Sequence, residues 1–95
     1  MSDPTLIAAR EAEVAQYDAN IVLYQTIIAT LPTDWPEHLA GFKGRIDHQQ
    51  AITECDEADV ELLSQLLYKE QCDNAMRAER LERTKAATIL AALKA

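Results

Sequence analysis

The chain is poor both in residues that break helices and in residues that build sheets. Of its 95 residues only two are glycine and three proline, and aromatics make up 5%. Period-two runs of β-branched and aromatic residues bounded by turn residues are absent, which excludes a strand-based fold. No stretch approaches the roughly 20 apolar residues needed to span a bilayer. Met1-Ser2-Asp3-Pro4 lacks the basic start and apolar core of a secretion signal. The expectation is a cytoplasmic protein with no membrane insertion. The two cysteines, Cys55 and Cys72, form no Cys-x-x-Cys pair, which fits free thiols in a reducing compartment. With only His38 and His48 to join them, metal-ligand spacing is absent, so neither a metal nor another cofactor is expected.

Basic residues are also scarce. Nine lysines and arginines stand against 16 acids, for a net charge of -7. Residues 1–72 hold 13 acids and 4 bases, whereas residues 73–95 hold 3 acids and 5 bases. An acidic body excludes direct nucleic-acid binding, which needs a basic face to neutralise phosphates. It leaves open the inverse, a protein that imitates nucleic acid, beside the plainer reading of a solvated surface.

What is present is a helical seam. Ile7, Val14, Ile21 and Ile28 recur every seventh residue, and three places after each stand Arg10, Tyr17, Tyr24 and Leu31. Only Arg10 breaks a pattern of β-branched residues at one heptad position and large residues at the other. Such a helix is built to lie along another. Ser2 or Asp3 can cap it, with Pro4 in its first turn, and it is expected to run over about 4–31. Val22, Leu23 and Ile27 widen the apolar arc, so the second half is expected to be the more deeply buried.

Pro32 and Pro36 end that helix around Trp35, which is expected to anchor the corner. A second helix over about 36–52 is predicted, with Leu39, Phe42 and Ile46 on a narrow stripe and Gly41 and Gly44 weakening it by about 1 kcal/mol each. The third, over about 57–93, starts from Asp56 and meets no glycine or proline. It opens on Val60, Leu62, Leu63, Leu66 and Leu67, turns polar through residue 85, and closes on Ile89, Leu90 and Leu93.

The predicted fold is therefore a single all-α domain over 1–95. It is an antiparallel, coiled-coil-like hairpin of two long helices with a short one between, and it dimerises into a bundle. Its seam core is Ile7, Val14, Tyr17, Ile21, Tyr24, Ile28, Leu31, Leu63 and Leu67. The longer third helix should overhang the first, and an apolar end at Ile89, Leu90 and Leu93 left in water would seek a second subunit or a partner. Arg77, Arg80 and Arg83, spaced by three, offer a basic stripe to an acidic partner. The helix dipole also accounts for positive charge near a helix C-terminus without one.

Catalytic constellations are missing. No Ser/His/Asp set or phosphate-cradling glycine loop occurs. Glu37 and His38 are adjacent and do not share a helix face. Glu57, Asp59 and Glu61 suit a helix N-terminus better than acid and base work. Tyr17 and Tyr24 read as seam residues. An enzyme with a small-molecule substrate is not expected.

Leu31-Pro32-Thr33-Asp34-Trp35-Pro36-Glu37-His38-Leu39 resembles small helical proteins of tailed bacteriophages, with Mu-like, transposable phages of Pseudomonas the nearest group. So do Asp59-Val60-Glu61-Leu62-Leu63-Ser64 and the run Met76 to Ala86. The likeness spans most of the chain after residue 30 and rests on fold-type patterns. It implies an early phage protein that binds and disables a host protein, the assembly ATPase of type IV pili being the leading example. The alternatives are an acidic nucleic-acid mimic, directed at CRISPR surveillance or a DNA-binding factor, and a structural or assembly helper of the virion.

Overall fold

Asp3 opens the first helix. Its Oδ1 accepts from the backbone N–H of Thr5 at 2.8 Å, and Pro4 fills the first turn, where a missing N–H costs nothing. Helix α1 (Pro4–Ala29) then runs 26 residues and ends at Thr30, whose N–H returns to the Ile27 and Ile28 carbonyls. In the computed structural model, which describes residues 3–44 and 48–95 and, of residues 48 and 50, the backbone alone, three further elements follow. They are a 3-10 turn (Glu37–Phe42), a short helix α2 (His48–Thr53) and the 38-residue helix α3 (Glu57–Lys94). No strand occurs among the described residues.

The two long helices are antiparallel. Asn20 Nδ2 donates to Glu79 Oε2 at 3.3 Å, Arg83 Nε to Asp18 Oδ1 at 2.6 Å, and Lys94 Nζ lies 3.4 Å from Glu11 Oε1. Numbers fall along α1 as they rise along α3, and the three pairs fix the register. Ile7, Arg10, Val14, Tyr17, Ile21, Tyr24, Ile28 and Leu31 are all partly or fully buried, so the heptad seam is the packed face. The all-α hairpin predicted from the sequence is the fold. Its extents of 62 × 22 × 18 Å and radius of gyration of 18.7 Å describe a rod, since a compact chain of this length has a radius near 12 Å.

Four expectations differ from the structure. The second helix over 36–52 is instead the 3-10 turn and α2. Gly44 sits at φ +78°, a left-handed conformation that an α-helix cannot continue; Ile46, placed on its stripe, lies outside the described residues. Second, Val22 and Leu23 are 59% and 58% exposed. With a single neighbouring helix, α1 has only one narrow face to bury.

Third, the overhang of α3 is at its start. At about 1.5 Å per residue α3 exceeds α1 by roughly 18 Å. The intervening segment folds over that surplus: Leu39 and Ala51 join Leu63, Leu66 and Leu67 in a buried cluster, with Trp35, Phe42, Ile52, Cys55 and Leu62 packed against it. Trp35 does anchor the corner. Fourth, the other end of α3 does not project into water. Leu90 and Leu93 are partly buried next to the Glu11–Lys94 pair, and only Ile89 of the expected trio is exposed.

Candidate functional site

The face of α3 that meets α1 consists of Lys69, Cys72, Met76, Glu79, Arg83, Ala86, Leu90 and Leu93, spaced alternately by three and four and all partly or fully buried. Its apolar ends enclose a polar middle. Against that middle stand Tyr17, Asp18 and Asn20 of α1, tied to it by the Asp18–Arg83 ion pair and the Asn20–Glu79 hydrogen bond. Burial, and then the carboxylates of Glu13, Glu82 and Glu79, push the Tyr17 phenol above its ordinary pKa, with Arg10 opposing. Arg10, the break in the seam, is held within α1 by Glu13 at 2.7 Å.

The residues proposed as a partner face are therefore not brought together. Arg83, Leu90 and Leu93 belong to the internal seam. Arg77 and Arg80 are exposed, and Arg77 Nη1 makes only a long 3.4 Å hydrogen bond to Asn74 Oδ1. Outside the seam the large apolar side chains left in water are Leu6, Val22 and Leu23 on α1 and Tyr68, Leu81 and Ile89 on α3. Tyr68 is raised in pKa first by its hydrogen bond with Cys72 and then by the thiol's charge, burial and Tyr24.

Two clefts flank the head, the end of the rod where the 32–44 segment and α2 pack on the start of α3. The first, about 300 Å³, lies between the 32–44 segment and α3 and includes Trp35, Lys43, Lys69 and Arg77. The second, about 320 Å³, holds His38, Cys55 and Asp59 beside Leu39 and Phe42. His38 Nε2 lies 3.1 Å from Asp59 Oδ2. Among the described residues no group of three or more His, Cys, Asp or Glu side chains is arranged to hold a metal, and no helix is long and apolar enough to cross a membrane.

Burial pushes the Cys55 thiol above its ordinary pKa, and Asp59, Asp56 and Glu54 add to the shift. Thiolate is the reacting species, so Cys55 is expected to alkylate more slowly than a free thiol at pH 7.5. Cys72 is buried and is expected to react only on unfolding. Mass spectrometry of iodoacetamide-treated protein, with and without denaturant, checks both; rapid labelling of Cys72 in the native protein would contradict its placement.

Comparison with protein-family models, curated proteins and solved structures gives no match. The missed surface residues share a simple cause. Val22 and Leu23 are apolar, and sequence alone does not say which apolar residues find a neighbour. Lys43 and Lys69 are 26 positions apart and meet at one cleft only because the 32–44 segment folds back on α3.

Proposed function

We propose that this chain is a non-enzymatic protein-binding hairpin, a phage protein that holds a host protein in an unproductive state, with the assembly ATPase of type IV pili as the leading target. The observation that carries the protein-binding part is apolar surface left over after folding. The chain exposes 6502 Å², whereas a compact monomer of 10.6 kDa exposes about 5,500 Å². That excess is total area and goes with the rod shape; what makes part of it a candidate interface is that Val22, Leu23 and Leu81 are each more than half exposed. An interface of standard size takes about 800 Å² from each partner. A second copy of the chain could use this surface as well as a host protein, and a homodimer is part of the proposal. The phage assignment and its target rest on the sequence resemblance.

The acidic mimic is the weaker reading. Along the shaft, Glu11, Glu13, Asp18, Asp73 and Glu82 each lie within 3.4 Å of a lysine or arginine nitrogen, and a mimic needs carboxylates left unneutralised. What favours it is the start of α3, where Asp56, Glu57 and Glu61 stand within six positions of one another.

Affinity capture from host lysate at low and moderate salt, read by mass spectrometry, separates the two. A hairpin held by apolar contact keeps its partner as salt rises; a charge mimic loses it within the range where surface charges are screened. Normal pilus function on expression, with no specific protein recovered, would refute the inhibitor. A mass of one chain in sedimentation equilibrium at micromolar concentration would refute the dimer.

A further inference from the structure

On an acidic protein, positive charge is concentrated at one cleft. Lys43, Lys69 and Arg77, three of the nine lysines and arginines, line the space between the 32–44 segment and α3, together with Trp35. Two acids also line it, one hydrogen-bonded to a neutral amide and one ion-paired, so the three cations leave the cleft an excess of one positive charge. Glu70 Oε1 accepts from the backbone N–H of Gly44 at 2.8 Å, which pins the turn that closes the cleft, and Asp73 Oδ2 takes Lys69 Nζ at 2.9 Å. That leaves two cations without a carboxylate among the described residues. Lys43 is exposed, and Arg77 spends one donor on a long contact with Asn74. Trp35 packs one side on the buried cluster and remains partly exposed to the cleft.

We propose that this cleft docks an acidic segment of a partner protein, which brings a carboxylate to Lys43 and Arg77 and an aromatic side chain to Trp35. Charge complementarity selects the occupant. A guanidinium offers paired donors to a carboxylate, and an indole face accepts a flat apolar group. A nucleic acid strand would meet the same two cations but would run its further phosphates over a body of net charge -7. The inference rests on the protein-binding reading above and adds to the exposed apolar surface a second, charged point of contact.

Trp35 is the only tryptophan in the chain, so its fluorescence reports on this cleft alone. The probe is an N-acetylated Asp-Phe-Glu tripeptide amide, compared with its Asn-Phe-Gln counterpart, AMP and inorganic phosphate. The acidic peptide is expected to shift Trp35 emission saturably and the neutral one is not. Arg77→Glu and Lys43→Glu, both at exposed positions, are expected to weaken binding by about tenfold or more, as loss of a complementary charge does. Arg80→Glu makes the same charge change three residues away and outside the cleft; it is expected to leave binding near the wild-type value.

No saturable shift with the acidic peptide, an equal shift with the neutral one, or tighter binding of AMP or phosphate would each overturn the proposal. Equal losses from Arg80→Glu and Arg77→Glu would do the same, because the cause would then be long-range charge. A host protein captured by the wild type and equally by Arg77→Glu would leave the protein-binding function standing and remove the cleft from it.

Discussion

Leu66→Ala is expected to lower the free energy of unfolding by about 2–5 kcal/mol, the range for removing three carbons from a closed core. Leu66 is 0% exposed and sits in the buried cluster with Leu39, Ala51, Leu63 and Leu67. A chain of this length has roughly 5–14 kcal/mol in total, so a single truncation removes a large share. For a domain this small each kcal/mol moves the melting temperature by about 4–8 °C, which gives a drop of at least roughly 8 °C. The control is Leu81→Ala. Leu81 is 57% exposed on α3, and alanine is as good a helix former, so its effect should stay within about 0.5 kcal/mol. Thermal denaturation followed by circular dichroism measures both. Equal effects would mean that the head cluster is not the core of the fold.

The concentration of burial in the head explains which parts of the fold could be read in advance. In α1 the apolar residues themselves carry the heptad, so its packed face was legible from Ile7 to Leu31. In α3 the packed face has the same spacing but includes Lys69, Glu79 and Arg83, and hydrophobic periodicity does not register a seam whose members are charged. Those residues are tolerated because each is partly exposed at the edge of a two-helix contact and, for Arg83 and Lys69, paired with a carboxylate. The segment between the helices departs from the predicted single helix for a different reason. Leu39 and Phe42 do share a stripe, but Gly44 reverses the backbone hand and sends the chain over α3.

Of the proposed binding surface, less is legible. Arg77, Arg80 and Arg83 look like one stripe on paper, yet a helix turns about 100° per residue, so positions six apart differ by about 120°. That rotation puts Arg83 on Asp18 and leaves Arg77 beside the cleft. Lys43 joins Arg77 there through a fold-back that no local pattern encodes. Leu90 and Leu93 were assigned to a partner because α3 is the longer helix. Which end overhangs depends on the register, and the Glu11–Lys94 pair fixes that end as covered.

Ile21→Asn and Val22→Asn, neighbouring changes of the same kind, are expected to act on different equilibria. Ile21 is 9% exposed at the middle of the α1 seam. Asparagine there loses the transfer energy of the aliphatic side chain and sets an amide against α3, for about 3 kcal/mol of destabilisation. Val22, at 59% exposure, gives up little on the same exchange, since valine and asparagine differ only slightly in helix propensity. Chemical denaturation should therefore show a large fall in midpoint for Ile21→Asn at every protein concentration and almost none for Val22→Asn in dilute solution. A reversed order would mean that α1 presents a different face to α3. If Val22 and Leu23 bury themselves in a second copy of the chain, Val22→Asn has its effect elsewhere. Association stabilises a folded state by mass action, so the wild type should gain stability as concentration rises while the variant gains less. Ile21→Asn should retain that dependence from its lower starting point. Midpoints independent of concentration for the wild type as well would show that this exposed pair does not join two copies, and would leave it for a different partner.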